Sequence, residues 1–469
     1  MKEGDFPLTW SALLDIGSTF TKGVAVNLTS GQPIAFVQVP SSIEVDVGMG
    51  VNQTVEKLTN KVGSDPLEAY ASSSARGGLG VIAIGLVPRF TLEAARQAAL
   101  GSGAKVLHAF GYSLTPEDLT AIERARPDII LLCGGTDGGD EECVIGNATK
   151  LVSALTPGPT VVIAGNRNSA PRAAELLEHA AWETVILPNV LPELNRLEVE
   201  SIQATLRSIF LKKITQANGI EAATRMLNGV VMPTPAAVLA AGELLGGLRG
   251  VPALLEDLVI IDVGGATTDV VSVAQIYEPE EDTYRVGLPE SVVKRTVEGD
   301  LGLRHNATTI VERYGIESAL KGSGNSEDVI MELLELYRSE PALLPSTESE
   351  IAFDGYLART TIREAMIRHA GHIEEVRIPH SPSAFRLTGK DLRPVHFVIG
   401  TGGALNHRTD ALSLLEQSRA ETARPESLRP RSPQFLLDKN YSLYACGLLA
   451  ERLPHVARLL GAATLGLVV

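Results

Sequence analysis

Two aspartates, about 250 residues apart, each begin a glycine-rich turn that follows an apolar run. The first turn runs from Asp15 to Lys22 and the second from Asp262 to Asp269. Each pattern predicts a strand that ends in aspartate, then a tight hairpin into a second strand. Glycine lets backbone N–H groups approach phosphate oxygens, and a strand-end aspartate can hold the water shell of a Mg²⁺ ion. One such turn is an ordinary β-turn, but two in one chain indicate facing phosphate clamps.

The residue types in these turns predict different roles for their members. We expect Asp15 and Asp262 to be catalytic and to hold Mg²⁺ through water molecules. Contacts to phosphate are predicted for Gly17, Ser18, Thr19, Lys22, Gly264, Gly265, Thr267 and Thr268. Lys22 can reach a phosphate as a point charge, or it is a solvated lysine on a strand. Asp269 ends the second turn and can instead satisfy local N–H groups.

A third glycine-rich turn completes the set. The apolar pair Val398 and Ile399 leads into Gly400, Gly402 and Gly403, where a helix is predicted to begin. Bare backbone near a helix N-terminus lets a flat base and its ribose lie against the chain. The three turns together predict a nucleotide site.

Composition excludes several other classes of function. The net charge of −15 argues against binding to a nucleic acid backbone, and an aromatic content of 4% argues against stacking on single strands. Three cysteines without metal spacing are consistent with a reducing cytosol. The first residues contain no apolar signal core, and the apolar stretch Leu459–Val469 is too short to span a bilayer. We therefore expect a cytoplasmic protein with neither nucleic acid nor membrane as a partner.

The elements that must position these turns change character along the chain. Between residues 79 and 190, short strand-like runs alternate regularly with helical stretches. The five runs are Leu79–Ile84, Lys105–Ala109, Asp128–Cys133, Thr160–Ala164 and Glu183–Leu187. Five parallel strands with intervening helices predict a flavodoxin-like unit.

The order and separation of the three glycine-rich turns resemble the superfamily that contains sugar kinases, DnaK-type chaperones and actin. Pro235–Gly242 resembles its first interdomain connection, and Tyr441–Gly447 resembles its closing helix. The resemblance implies an α/β fold of the two-lobed actin-like ATPase type, with ribonuclease H-like lobes around the flavodoxin-like insert. It also implies ATP and Mg²⁺ as cofactors, bound in the cleft between the lobes.

The predicted domains follow from this resemblance. We expect a first actin-like lobe in 1–78, the flavodoxin-like insert in 79–190, connecting helices in 191–257, a second actin-like lobe with a helical insertion in 258–405, and C-terminal helices that return to the core in 406–469.

The base that would orient a hydrolytic water is not obvious from the turns. DnaK-type chaperones carry a glutamate just before the proline of the connecting helix, and the corresponding position here is Met232. This departure implies slow hydrolysis or a base from elsewhere. Asp137, which stands among glycines after a predicted strand, is the candidate catalytic residue; its alternative role is a turn or cap.

A second resemblance is narrower. The segments Asp128–Asp140 and Arg295–Arg304 resemble the glutamate mutase L family, and the Gly-Gly-Thr-Asp-Gly-Gly run that begins at Gly134 is the most distinctive piece. These are accessory proteins of adenosylcobalamin-dependent methylaspartate (glutamate) mutase and ornithine aminomutase. The resemblance implies an ATP-dependent reactivating chaperone that exchanges damaged cobalamin, with mutase subunits and ATP or ADP as partners.

The insert has the strand–helix rhythm of the small cobalamin-binding subunit of such mutases. Leu86–Phe90 stand where that subunit carries its cobalt-ligating histidine loop, and they cannot ligate the metal. We therefore expect an insert that mimics the subunit without binding cobalamin. The alternative is a common α/β insert without mimicry.

Competing functions and further residues complete the expectations. A hydantoinase- or oxoprolinase-like ATPase subunit, a small-molecule kinase and an actin-like scaffold all remain open. His369 and His372 have metal-ligand spacing on a helix, but no third ligand is apparent and a surface pair is expected. Cys133, at a strand end, is expected to be buried and inert.

Overall fold

The computed structural model of the chain describes residues 9–17, 20–40, 47–74, 79–194, 196–215, 231–279, 282–377 and 384–468. Ser18 and Thr19, which were predicted to contact phosphate, lie outside these ranges.

The first lobe begins with a three-stranded antiparallel meander. Its elements are β1 (Trp10–Ile16), β2 (Phe20–Asn27), β3 (Pro33–Pro40), α1 (Val47–Val62) and β4 (Glu68–Ser73). Strand β4 runs parallel to β1, and every residue of β1 is buried because its largely apolar sequence serves both faces of the sheet. Helix α1 packs so closely on β2 that a Cβ at Gly23 would lie 2.5 Å from Thr54 Cγ2.

The insert follows β4 as a regular alternation of strands and helices. Its elements are β5 (Gly80–Gly85), α2 (Glu93–Gly101), β6 (Lys105–Gly111), α3 (Pro116–Ala125), β7 (Ile129–Leu132), α4 (Glu142–Ala154), β8 (Thr160–Ile163), α5 (Ala170–His179), β9 (Thr184–Ile186) and α6 (Glu200–Thr215). All five strands are parallel, in the spatial order β6-β5-β7-β8-β9. This is the flavodoxin order, so the predicted flavodoxin-like insert is confirmed.

Local sequence explains where the helices of the insert begin. Thr115 accepts a hydrogen bond from the backbone N–H of Asp118, whose side chain accepts one from the N–H of Thr115, and Pro116 occupies the first turn of α3. This capping box satisfies donors that a helix N-terminus leaves unpaired.

The chain then returns to the first sheet. Strand β10 (Val231–Pro233) pairs in parallel with β4 and leads directly into helix α7 (Thr234–Leu245). The first sheet therefore has the order β10-β4-β1-β2-β3, and the whole insert lies between its fourth and fifth strands. Residues 191–257, predicted as connecting helices, thus also contain a strand of the first lobe.

The second lobe repeats this plan. Its elements are β11 (Leu258–Val263), β12 (Thr268–Val273), β13 (Thr283–Val286), β14 (Val293–Glu298), α8 (Ala307–Tyr314), α9 (Ile316–Ser323), α10 (Glu327–Ser339), α11 (Glu348–His369), β15 (His372–Val376), β16 (Ala384–Thr388), β17 (Phe397–Thr401), α12 (Gly403–Asn406), α13 (Ala411–Leu415) and β18 (Gln434–Leu437). The strand order of its sheet is β14-β12-β11-β17-β18. Read from the opposite edge, as β3-β2-β1-β4-β10, the first sheet has the same order and the same strand directions. Strand β18 lies beyond residue 405, where this lobe was predicted to end. A small sheet, β13-β16-β15, is attached to the lobe.

Two helices pack between the lobes. They are α7 and α14 (Leu443–Leu449). The last helix, α15 (Pro454–Leu465), follows α14. Helices α7 and α14 cross so closely that a Cβ at Gly447 would lie 1.8 Å from the carbonyl oxygen of Ala237. Their apolar side chains share one buried cluster with Leu13 of the first sheet and Ile260 of the second. The two lobes are therefore joined by a continuous apolar layer.

His369, predicted to lie on the surface, is fully buried. Its ring nitrogens contact the hydroxyls of Thr296 and Ser272 at 2.9 Å each. Burial lowers the pKa of His369 well below its ordinary value, so the ring is a neutral partner for these hydroxyls.

Within the described ranges, no helix combines the length and apolar character needed to cross a bilayer.

Candidate functional site

The two aspartate-led turns are closed by the same kind of backbone hydrogen bond. The backbone N–H of Gly17 donates to the carbonyl of Phe20, and that of Gly264 donates to the carbonyl of Thr267, both at 3.0 Å. A Cβ at either glycine would lie within 2.9 Å of the carbonyl oxygen that closes its turn, so both positions require glycine. In the two hairpins Asp15 faces Lys22, and Asp262 faces Asp269.

Asp15 is held by the first lobe. Its carboxylate accepts hydrogen bonds from the hydroxyls of Ser72, at the end of β4, and Thr234, at the start of α7. Burial raises the pKa of Asp15, although the two hydroxyls and the nearby Lys22 favour its charged form. The Asp15 carboxylate therefore ties three elements of the first lobe together at the cleft.

Lys22 lies between the lobes. Its ammonium stands 3.6 Å from the ring centroid of Tyr441 and interacts with the carboxylates of Asp15 and Asp262. Burial lowers the pKa of Lys22, and these carboxylates oppose that shift. The solvated-lysine alternative therefore does not describe this side chain.

Asp262 stands among several other carboxylates in the cleft. Burial raises its pKa to about 7, and the nearby carboxylates of Asp269, Asp15 and Asp438 add to the shift while Lys22 opposes it. Within the part of the chain that the structure describes, no three carboxylate, histidine or cysteine side chains form a group that could hold a metal ion directly. The expectation that Asp15 and Asp262 hold Mg²⁺ through its waters stays a prediction, which the buried negative charge around Asp262 supports.

Asp438 was not predicted as part of the site. It follows β18, is fully buried, and accepts hydrogen bonds from Thr401 Oγ1 at 2.8 Å and from the backbone N–H groups of Ser442 and Leu443 at 2.8 and 3.1 Å. It thus fixes the start of α14 against the end of β17. The signal was present in the sequence, since an apolar run ends in aspartate here as it does at Asp15 and Asp262.

The third glycine-rich turn lies beside Asp262. Gly402 has a φ of +103°, and a Cβ there would lie 2.6 Å from Asp262 Oδ1, so only glycine fits. Helix α12 begins at Gly403, as predicted. The space around Gly400 is instead filled by the side chains of Leu405 and Leu415, so this glycine allows close packing.

An open cavity of about 230 Å³ joins these parts. Lys22 and Gln38 line it from the first lobe, Gly403 and Asn406 from the second, and Tyr441 from the segment before α14. The cavity therefore brings the first turn and the third turn to one space.

The other predicted residues of the second turn differ in what they offer. Thr268 is buried and its hydroxyl donates to the carbonyl of Leu301 at 2.7 Å, so that hydroxyl is committed to the protein. The Thr267 hydroxyl donates to Asp269 Oδ2 at 3.3 Å and remains partly exposed. Gly265 is exposed, and its carbonyl accepts from the N–H groups of Arg304 and His305.

Asp137 lies in the insert. Its carboxylate accepts from the backbone N–H of Arg167 and from Asn189 Nδ2, both at 3.0 Å, and its own N–H donates to the carbonyl of Pro192. These bonds support a glycine-rich loop, and the structure does not bring Asp137 together with the cleft carboxylates. The turn role accounts for all of these hydrogen bonds.

Two sheets of identical strand order, with a glycine-rich hairpin in each and two crossing helices between them, define a two-lobed actin-like fold. The family model described as "MutL protein" matches residues 12–465, and the chain belongs to this family. The family membership predicted from the sequence is thus confirmed.

Three known proteins show how far the similarity extends. "Protein MutL" from Clostridium tetanomorphum is 41% identical over 450 residues, which cover 95% of this chain and 96% of that protein. Nucleotide-free acetone carboxylase aligns with a TM-score of 0.41 and 13% identity, over 93% of this chain and 69% of that one. Ligand-bound xylulose kinase from Lactobacillus acidophilus aligns with a TM-score of 0.35 and 11% identity, over 96% and 91% of the two chains.

Proposed function

We propose that this protein binds Mg-ATP between its lobes and acts as an ATP-dependent accessory protein. One observation carries the proposal: Asp15, Asp262 and Lys22 converge at two hairpins that are closed by equivalent backbone hydrogen bonds. The excess negative charge would accept Mg²⁺, the turn N–H groups would face phosphates, and Gly402 and Gly403 would leave room for the adenosine. Met232 stands where a glutamate would orient water, so we expect hydrolysis to be slow.

The finer proposal is a reactivating chaperone for an adenosylcobalamin-dependent mutase in the cytoplasm, which releases damaged cobalamin from its client. Family membership supports it, by analogy with the accessory role that the sequence resemblance implies. Closure of the lobes around ATP would move the parts that touch the client, and opening would reset them.

The insert is the part that we propose to face the mutase. Ligands of flavodoxin-like sheets bind at the carboxyl ends of the strands. Here the chain folds back over the end of β5, so that a Cβ at Gly85 would lie 2.6 Å from the N atom of Leu92, and the Leu92 side chain is largely buried. This closed end, and the absence of histidine from Leu86–Phe90, favour binding of the mutase's large subunit over binding of a corrinoid.

Calorimetry tests the nucleotide site. Asp262→Ala should abolish Mg-ATP binding while the protein remains folded, because this side chain is partly exposed in the cleft. Asp137→Ala is the matched control and should bind Mg-ATP like the unchanged protein. Undiminished Mg-ATP affinity in Asp262→Ala contradicts the proposed nucleotide site. Loss of Mg-ATP affinity in Asp137→Ala would mean that Asp137 belongs to that site.

Co-purification tests the client. The full chain should capture mutase subunits in an ATP-sensitive complex and should show no cobalamin absorbance by itself. Stoichiometric binding of cobalamin to this chain alone, or mutase binding that ATP leaves unchanged, would contradict the proposed role. Phosphorylation of a small molecule would instead favour the kinase alternative.

A further inference from the structure

The insert rests on both lobes at the end of helix α2. Gly103, just after α2, has a φ of +89°. A Cβ there would lie 2.9 Å from the Cβ of Ala236 in α7 and 3.1 Å from the Cβ of Pro233 in β10 of the first lobe. A Cβ at Gly299 of the second lobe would lie 3.6 Å from Cε of Lys105. The short segment from Leu100 to Lys105 therefore contacts both lobes.

Arg295, on β14 of the second lobe, is the polar link at this junction. Its side chain is only 2% exposed. Nη1 donates to the carbonyl of Leu100 at 2.8 Å and to that of Ala104 at 3.2 Å. These are backbone carbonyls at and just beyond the carboxyl end of α2, where a cation is favoured.

The same guanidinium also holds the second glycine-rich hairpin. Nε of Arg295 donates to Asp269 Oδ1 at 2.9 Å, and Nη2 donates to the same oxygen. Asp269 faces Asp262 across the hairpin, and its other oxygen accepts from the Thr267 hydroxyl. One planar side chain therefore contacts both the insert and the hairpin that is proposed to hold phosphate.

We propose that Arg295 is a positioning residue that couples the nucleotide in the cleft to the position of the insert. The proposal rests on the nucleotide site proposed above. A cation and phosphate at Asp262 and Thr267 change the charge around Asp269, and Asp269 can shift only together with the guanidinium that it accepts from. Because Arg295 also holds the end of α2, the insert follows.

Coupling of this kind acts in both directions. If nucleotide changes the affinity of the insert for a partner by some factor, binding of that partner must change the affinity for nucleotide by the same factor. A partner bound to the insert would therefore also change the affinity for nucleotide. The arrangement thus provides a route by which a client can be sensed at the cleft.

Hydrogen exchange on the full-length protein, with and without saturating Mg-ATP, tests the coupling. In the unchanged protein, nucleotide should slow exchange in both hairpins and in residues 99–105. Arg295→Lys keeps the charge, but one ammonium cannot replace the planar fork. This variant should bind Mg-ATP about 5- to 150-fold more weakly. At saturation its hairpins should be protected while residues 99–105 no longer respond.

Two further variants complete the test. Arg313→Lys is the control, because Arg313 pairs with Asp300 on the same lobe with its side chain more than half exposed, and it should behave like the unchanged protein. Gly103→Ala displaces the insert segment without altering a cleft side chain, and it should also weaken nucleotide binding. That loss should be smaller when Arg295→Lys is already present, because the two changes act on one link.

The outcomes separate this inference from the proposed function. Hairpin protection in the unchanged protein without any response of residues 99–105 overturns the coupling alone. A response of residues 99–105 in Arg295→Lys equal to that in the unchanged protein also overturns the coupling. If Arg295→Lys fails to fold, unchanged nucleotide affinity in Gly103→Ala overturns the coupling instead. Absence of hairpin protection at any Mg-ATP concentration removes the nucleotide site, and the coupling with it.

Discussion

Asp262 shows how a functional site opposes stability. In the unfolded chain its carboxyl titrates near the ordinary value for aspartate, whereas in the folded protein burial and neighbouring carboxylates raise its pKa to about 7. The folded state thus binds this proton more tightly than the unfolded state does. Stability from this group is fully present below the ordinary pKa and is lost as pH rises towards and through about 7.

Removal of this charge should therefore stabilise the free protein above neutral pH. We expect Asp262→Asn to melt at a higher temperature than the unchanged protein at pH about 8. The difference should become small at pH about 4, because the Asp262 carboxyl is then protonated in the folded protein and about half protonated in the unfolded chain. Thermal unfolding at the two pH values measures this.

Asp300→Asn is the control of opposite sign. Arg368 Nη1 donates to Asp300 Oδ1 at 2.6 Å and lowers the pKa of that carboxyl. Loss of the Asp300 charge should therefore destabilise the protein at the higher pH. A lower melting temperature for Asp262→Asn at pH about 8 would show that the cleft carboxylates do not repel one another as inferred.

Binding of Mg-nucleotide should depend on pH through the same group. A proton on Asp262 competes with the cation, so affinity should fall as pH drops below about 7, approaching tenfold for each further unit. Calorimetry between pH 6 and 8 in buffers of different ionisation enthalpy would also detect the released proton. An affinity that does not change over this range contradicts a role for the Asp262 carboxylate in cation binding.

Residues differ in how far local sequence predicts their surroundings. Asp15 and Asp262 end apolar runs before glycine, so their placement at hairpins follows from local pattern. Thr268 stands in the same pattern, but its hydroxyl bonds to Leu301, whose position depends on the fold. His369 is buried against the second sheet, where its ring contacts the hydroxyls of Ser272 and Thr296. The spacing of residues within a helix does not predict such a contact.

At the scale of elements, the crossing of α7 and α14 depends on a single missing side chain. A Cβ at Gly447 would overlap the backbone of Ala237, which cannot move aside as a flexible side chain could. We expect Gly447→Ala to destabilise the protein by about 1–3 kcal/mol through overpacking. Chemical denaturation of the full chain measures the change in the free energy of unfolding.

Gly146→Ala is the matched control for this prediction. Gly146 lies in helix α4, and nothing stands within 4 Å of a Cβ placed there. Alanine is the better helix former, so this variant should be more stable by roughly 0.5–1 kcal/mol. Equal effects of the two substitutions would mean that the helix crossing is not the cause.

Strands in a regular alternation with helices were predictable, and isolated short strands were not. The five strands of the insert were found because strand and helix signals alternate over more than a hundred residues. Strands β10 and β18 contain only three and four residues, and each joins its sheet at the edge. Strand β10 belongs to its sheet through pairing with β4, from which the whole insert separates it, and β18 through pairing with β17, beyond helices α12 and α13.

At the scale of the whole molecule, one strand order occurs twice, and the two copies meet through α7, α14 and the insert. The apolar layer joins the two sheets, and the segment 100–105 contacts both lobes. A ligand held by both hairpins would therefore stabilise contacts within and between the lobes. Such a ligand should shift the global unfolding equilibrium as well as local motion.

Mg-ATP should therefore raise the melting temperature of the protein. Ligand at a hundred times its Kd adds about 2.7 kcal/mol to the free energy of unfolding, because it binds the folded state alone. For a chain of this size that amounts to a shift of several degrees. The shift should be absent for Asp262→Ala at the same concentration, and ATP with chelator should give less, since the cation offsets the repulsion among Asp15, Asp262 and Asp438. A melting temperature that saturating Mg-ATP leaves unchanged in the natural sequence would mean that the paired hairpins no longer hold a nucleotide.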